Sequence, residues 1–205
     1  MNKKIIWIGG PSGVGKSTLI KKALSGFAPI MHTGSVAIAT EKRLSKDPRW
    51  KKLTQRQKLN WVNREIISSI NDVLKQKDAI ILDSHFSFRG KALVPKESLR
   101  KLASTPNVEF LMVHLTASRR EILQRILQDT QRSRGDLIKQ VREDILLNKR
   151  FYEEYNSFLN GKKTLRSITL WNKKVEETSE LLKGFVGDFI SEKWKNSFLV
   201  RVNKR

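Results

Sequence analysis

The chain has 205 residues, 39% hydrophobic and 30% charged, with no cysteine. That length suits one well-cored domain rather than two, and the lack of cysteine excludes a disulfide framework or a Cys-based zinc site. With 41 Lys and Arg against 20 Asp and Glu, the formal charge is +21, which favours a polyanionic partner: nucleotide, nucleic acid or an acidic membrane surface.

Short apolar runs alternate with longer stretches of helical spacing, the pattern of a parallel sheet flanked by helices. The first strand is expected over Lys4 to Gly9; its apolar run is too short for a signal peptide or a membrane span, so the chain is expected to be cytoplasmic, with no membrane partner. A glycine-rich turn and a helix from Ser17 to Leu24 follow, then a strand from Pro29 to Thr33. The stretch from Glu41 to Lys58 is basic. A long helix is expected over Thr54 to Lys77, opened by Thr54 and Gln57 at capping-box spacing and presenting Leu59, Val62, Ile66, Ile67, Ile70 and Leu74 on one face. Strands over Ala79 to Asp83, Val108 to Leu115 and Leu165 to Trp171, with helices over Ser118 to Gln128, Leu137 to Asn160 and Glu176 to Lys195, complete the order. The end of the chain, WKNSFLVRVNKR, is basic and reads either as an added edge strand or as a frayed tail.

The turn is GGPSGVGKST, residues 9 to 18, in which Gly10, Gly15, Lys16 and Ser17 fit G-x-x-x-x-G-K-[ST] between a strand and a helix. Successive backbone N–H groups there can face phosphate oxygens while the helix presents its positive end. Gly10, Pro11, Ser12, Gly13, Val14, Gly15, Lys16, Ser17 and Thr18 are therefore expected to hold ATP, with Lys16 on the β and γ phosphates and Ser17 on Mg²⁺. The expected fold is α/β: a three-layer P-loop NTPase with a mostly parallel five-stranded sheet, helices on both faces and a short arginine-bearing lid.

Phosphoryl transfer needs cations converging on the moving group and a lid against water. DTQRSRGD, residues 129 to 136, supplies Arg132 and Arg134 between two helices, with Arg125 one turn earlier. In ILDSHFSFRG, residues 81 to 90, a strand ends at Asp83, well placed for Mg²⁺ or its water shell. Its loop carries His85 and Arg89, and Arg89 suits an acceptor phosphate.

These residues resemble the archaeal-type adenylate kinases, within the P-loop nucleoside monophosphate kinases, over about residues 3 to 185. HTGSVAIATE, KKLTQRQKL, ILDSHFSFRG, ILQRILQDTQRSR, LNKRFYEEYNSFLNG and LWN carry the resemblance, with the arginine-bearing stretch the most specific. It implies transfer from ATP, with Mg²⁺, to a nucleoside monophosphate such as AMP, giving two ADP. Gly34 and Ser35 would line the monophosphate pocket, with Arg89 on its phosphate; Arg125, Arg132 and Arg134 would clamp the transferring group; Arg150 would approach it; Asn172 would begin the loop near the donor adenine. RWKKL stands where the family tends to have an arginine before the long helix, so Arg49 or Lys51 takes that place. MHTGS stands in place of VNFGT-like pocket residues, which leaves the acceptor base open.

The expected organisation is a kinase domain over residues 1–190, with an acceptor-binding helical insert at about 34–77 and a lid at about 128–137, followed by a basic extension over 191–205. Such kinases are often trimers, so the resemblance allows a homo-oligomer. The charge and the basic stretch also leave open an RNA-directed kinase, with Asp83 as base, or a nucleic-acid-associated NTP-binding module.

Overall fold

β1 (Lys3–Gly9) is the middle strand of the sheet and splits its side chains by alternation: Ile5 and Trp7 face one layer of helices, Ile6 and Ile8 the other. Because both faces are covered, the strand reads as a continuous apolar run. The chain is known here from a computed structural model that describes residues 2–88, 90–129, 135–159 and 165–193, with the backbone alone for Phe88 and residues 135–139.

After β1 come α1 (Lys16–Leu24), β2 (Ile30–His32), α2 (Thr33–Leu44), α3 (Pro48–Lys52), α4 (Gln55–Gln76) and β3 (Ala79–Asp83). A small antiparallel hairpin, β4 (Ser87–Phe88) and β5 (Lys91–Ala92), leads to α5 (Lys96–Ala103), β6 (Val108–Thr116), α6 (Arg119–Gln128), α7 (Gly135–Leu159), β7 (Leu165–Trp171) and α8 (Val175–Ile190). The main sheet is parallel throughout, in the order β2-β3-β1-β6-β7. The chain therefore goes from β1 out to the edge at β2, returns with β3 beside β1, and then crosses to the other side, which makes the carboxyl end of β1 the place where an open α/β sheet binds ligand. Register brings Ile8 level with Asp83, Asp83 level with His32, and Gly9 level with His114 at that end.

One layer packs Val62, Ile66 and Ile70 of α4, Leu99 of α5 and Tyr155 of α7 against Ile5, Trp7 and Phe110. The other packs Leu19 of α1, Ile122 of α6 and Val186 of α8 against Ile6, Ile8 and Val113. α4 begins with the expected capping box: Thr54 Oγ1 accepts from Gln57 N, and Gln57 Oε1 from Thr54 N. Ser118 and Glu121 form a second one at α6.

The β4–β5 hairpin and α5 go beyond the sequence expectation, and α2 and α3 fall in a stretch expected only in general terms as part of a helical insert. In α2 the buried residues are Thr33 and Thr40 while Ile38 is 68% exposed, so apolar periodicity gives no sign of it. α3 and the hairpin strands are five and two residues long, below the length at which a period registers. α8 stops at Ile190, short of the expected Lys195. The buried Lys4 ammonium donates to the carbonyls of Phe189 (3.0 Å) and Ile190 (2.8 Å) and pairs with Glu192 at 3.3 Å, a cation at the helix's negative end. Most of the expected lid, with Arg132 and Arg134, and the basic stretch from Trp194 onward lie outside the described residues, as does Arg89. Among the described residues no helix is long and apolar enough to cross a membrane.

Ile66 is fully buried between α4 and the sheet. Ile66→Ala is expected to lower unfolding free energy by about 2–5 kcal/mol while the far-ultraviolet spectrum of the folded chain is unchanged, as measured by denaturant titration. A loss under 1 kcal/mol, on the order of a surface change, would contradict this packing.

Candidate active site

The turn after β1 bends through left-handed backbone at Gly13 (φ 78°) and Gly15 (φ 92°). A side chain at Gly13 would come within 2.7 Å of Ile126 Cγ1, and one at Gly15 within 2.8 Å of Asn172 Nδ2. Glycine is required there by conformation and by space. α1 starts directly behind Gly15 with no side-chain cap, so its first amides are available to an anion.

Turning amides toward a ligand turns carbonyls the other way, and the site is assembled from what satisfies them. The Gly10 carbonyl accepts from Lys16 Nζ (2.8 Å) and His85 Nδ1 (2.8 Å), and the Pro11 carbonyl from Lys16 Nζ (3.1 Å). Lys16 Nζ and His85 Nδ1 are 3.4 Å apart. Since His85 Nδ1–H is the donor to Gly10, the two are neighbours rather than partners. The Lys16 charge, then burial, pushes the His85 pKa down to about 3. The Val14 carbonyl accepts from Arg125 Nη1 (3.1 Å) and Asn172 Nδ2 (2.7 Å), and Arg125 Nη2 donates to the Asn172 carbonyl at 2.7 Å. Asn172 N donates to the Thr116 carbonyl, which fixes β6 and β7 to the same assembly.

On the other side of β1, Asp83 Oδ2 accepts from Ser17 Oγ at 2.7 Å and from His32 Nδ1 at 2.9 Å. The Asp83 carboxylate is 7% exposed and the His32 side chain 55% exposed. Thr33 Oγ1 donates to Ser84 Oγ at 2.8 Å and joins the start of α2 to the loop after β3. Phe86 anchors that loop: its ring centroid is 5.3 Å from those of both Trp7 and Tyr152, and any side chain on Gly9 would collide with it.

Ser17 and Asp83 fit the Mg²⁺ that accompanies a bound triphosphate: two hard oxygen donors already in contact at the end of the P-loop. No group of three or more His, Cys, Asp or Glu capable of holding a metal occurs among the described residues, so phosphate and water oxygens would complete such a shell.

The structure thus brings Lys16, Ser17, Asp83 and His85 together around Gly10 and Pro11. Gly34 and Ser35 fall in the first turn of α2, directly after Thr33, and nothing lies within 4 Å of a side chain built on Gly34. The other expected site residues have these neighbours. Arg125 is beside the P-loop, its guanidinium donating to the Val14 and Asn172 carbonyls. Asn172 is fully buried, with its side-chain amide donating to the Val14 carbonyl. Arg49 pairs with Asp47 at 2.9 Å and Arg150 with Glu154 at 2.8 Å, each exposed and held by a carboxylate of its own neighbourhood; Lys51 is exposed on α3.

The sequence reading missed His32, Thr33 and Ser84, and it missed Asp144 and Asn148 on α7. Asp144 Oδ2 accepts from Ser12 N at 2.8 Å, and Asn148, fully buried, donates to Asp144 Oδ1 at 2.8 Å. Burial pushes the Asp144 carboxyl up, against the Ser12 amide, the Lys16 charge and Asn148, which hold it down. A signal was present: Asn148 interrupts the otherwise apolar and aromatic stripe of Val141, Tyr152, Tyr155 and Leu159.

These features define the class: a P-loop nucleotide-binding protein of kinase-like fold. The sequence matches the family described as AAA domain over residues 9–142, and the chain belongs to that family. Among solved structures it is similar to shikimate kinase from Acinetobacter baumannii in complex with shikimate, at 14% identity over 95% of this chain and 97% of that one, with a TM-score of 0.54. A gluconokinase from Sinorhizobium meliloti 1021 aligns at 13% identity over 95% of this chain and 98% of that one, with a TM-score of 0.47. No curated protein matches the sequence.

Two neutral imidazoles set an acid limit. Burial, with help from the Lys149 and Lys16 charges, pushes the His114 pKa down to about 4, as the Lys16 charge takes His85 to about 3. In the unfolded chain both titrate near about 6.5, so on acidification the unfolded state takes up protons first. Their contribution to stability is complete above about pH 6.5 and is lost as pH falls toward these folded values. The melting temperature is expected to be lower at pH 5 than at pH 7.5 by differential scanning fluorimetry; an unchanged or higher value at pH 5 would contradict the assignment.

Proposed function

We propose that the chain is an ATP-dependent phosphotransferase of adenylate kinase type, moving the γ-phosphoryl group from ATP to a nucleoside monophosphate, with AMP the first acceptor to test. The observation that carries this reading is the 2.7 Å hydrogen bond from Ser17 to Asp83, which joins the donor loop to the carboxyl end of β3. Next to that junction α2 opens at Gly34 and Ser35, and residues 33–76 lie between β2 and β3 as three helices, the position of an acceptor-binding insert.

In this reading Lys16 leaves the Gly10 and Pro11 carbonyls for the β and γ phosphates, and Ser17 and Asp83 hold Mg²⁺ directly or through water. Mg²⁺ supplies charge neutralisation of the triphosphate when bound. Arg89 takes the acceptor phosphate, while Arg132 and Arg134 neutralise the transferring group. A monophosphate acceptor is already ionised, so positioning and charge stabilisation carry the catalysis and no strong base is required. The kinase-like fold and the P-loop support transfer as such; the nucleoside monophosphate comes from the resemblance of the acceptor segments.

A second reading, transfer to a hydroxyl of a polynucleotide, is favoured by His32. Its imidazole is 55% exposed at the mouth of the site and held by Asp83 at 2.9 Å, an arrangement suited to taking a proton from an alcohol.

A coupled assay with ATP and AMP, CMP, UMP or GMP is expected to show turnover with at least one of them, and rates no higher than background ATP hydrolysis with all four would remove the first reading. End-labelling of an RNA oligonucleotide with γ-labelled ATP tests the second. Lys16→Ala is expected to lower transfer by about a hundredfold or more with the fold intact by circular dichroism, and near-normal turnover would exclude a phosphate role for Lys16.

A further inference from the structure

The amide of Ser12 is a P-loop donor that already has an anionic partner. Asp144, from the middle of α7, accepts from Ser12 N through Oδ2 at 2.8 Å. Its other oxygen, Oδ1, accepts from Asn148 Nδ2 at 2.8 Å. Asn148 is fully buried, donates also to Ser87 Oγ (3.0 Å) and accepts from Phe86 N (2.9 Å). A continuous set of hydrogen bonds therefore runs from the P-loop amide through one carboxylate and one carboxamide to the backbone of the loop that follows Asp83.

We infer that Asp144 is a positioning residue that stands in for a phosphate oxygen on the P-loop, and that its release when a triphosphate binds is passed through Asn148 to the Phe86–Ser87 backbone. This rests on the reading of the loop as a triphosphate site. A carboxylate and a polyphosphate compete for the same donor and repel each other beside it, so both cannot keep the Ser12 amide. The Lys16 ammonium, close enough to hold the Asp144 carboxyl down, is drawn to the same carboxylate and is released to the incoming phosphates. When Asp144 turns away, Asn148 Nδ2 loses the carboxylate oxygen and is left to the Asp144 backbone carbonyl, at 2.9 Å, and to Ser87 Oγ. Its contacts to Ser87 and Phe86 lie on the acceptor side of the site, so donor binding alters the setting of the loop on which the acceptor depends. Asp144 thus keeps the P-loop amide satisfied without nucleotide, at the expense of affinity, and gives the two halves of the site a shared element.

The test uses the full chain, with Mg²⁺·ATPγS and separately tripolyphosphate as probes, by isothermal titration calorimetry. Asp144→Asn removes the competing charge with little change in volume and is expected to tighten binding of both probes about tenfold, which is about 1.4 kcal/mol. Unchanged or weaker binding, with normal wild-type binding, overturns the inference alone; no binding by wild type and variant alike overturns the triphosphate reading as well. Hydrogen exchange over residues 84–88 gives a readout that a merely structural role would not move. In the wild type, tripolyphosphate is expected to change exchange at Phe86; in Asn148→Ala, which keeps Asp144 and the P-loop, the probe still binds and that response is absent. A response that persists in Asn148→Ala, or that the wild type lacks when the probe is bound, overturns the coupling.

Discussion

A loop whose amides converge on a ligand must do something with its carbonyls, and that constraint organises this molecule. With left-handed backbone at Gly13 and Gly15, the carbonyls of Gly10, Pro11 and Val14 face protein, where an unpaired acceptor is costly. Lys16 and His85 satisfy the first two, Arg125 and Asn172 the third. Each of these side chains comes from a different part of the chain, so the P-loop ties together α1, the loop after β3, α6 and the end of β7. Arg125 meets two carbonyls of this assembly, those of Val14 and Asn172, and so joins α6 to both the P-loop and the end of β7.

Charge is distributed with comparable economy. The chain carries +21 overall, yet the site itself holds two carboxylates, Asp83 and Asp144, one on either side of the P-loop lysine's neighbourhood. Asp83 gains a hydroxyl and an imidazole as donors, which suits a group that later faces a cation. Asp144 gains an amide and a carboxamide, donors that suit an anion's place. The positive charge is a property of the whole surface, whereas these two acids set the local field beside the P-loop.

Much of this was legible in the sequence, and the remainder was not for definite reasons. β1, β3 and β6 announce themselves as largely apolar runs because a parallel sheet buries both faces, and the P-loop is fixed by glycine, lysine and serine at set intervals. α4 shows its cap and its stripe. α2 does not, because it buries threonines and exposes Ile38. His32 and Asp144 are invisible for another reason: their meaning comes from partners 51 and 132 residues away, a pairing that only the sheet order and the packing of α7 create. The pairs of Arg49 with Asp47 and Arg150 with Glu154 are local, two and four residues apart, and need no sheet order to form.

The buried Lys4 has a practical consequence. It holds the carbonyls at the end of α8 against the amino end of β1, whereas the P-loop leaves the strand's other end. At about 3.3 Å per residue, the strand between them separates the two by roughly 17 Å. A probe carried on residue 193 itself, one position past the Glu192 that pairs with Lys4, therefore joins the molecule on the side remote from the nucleotide cleft. A surface-immobilised form tethered there would keep its cleft facing solution.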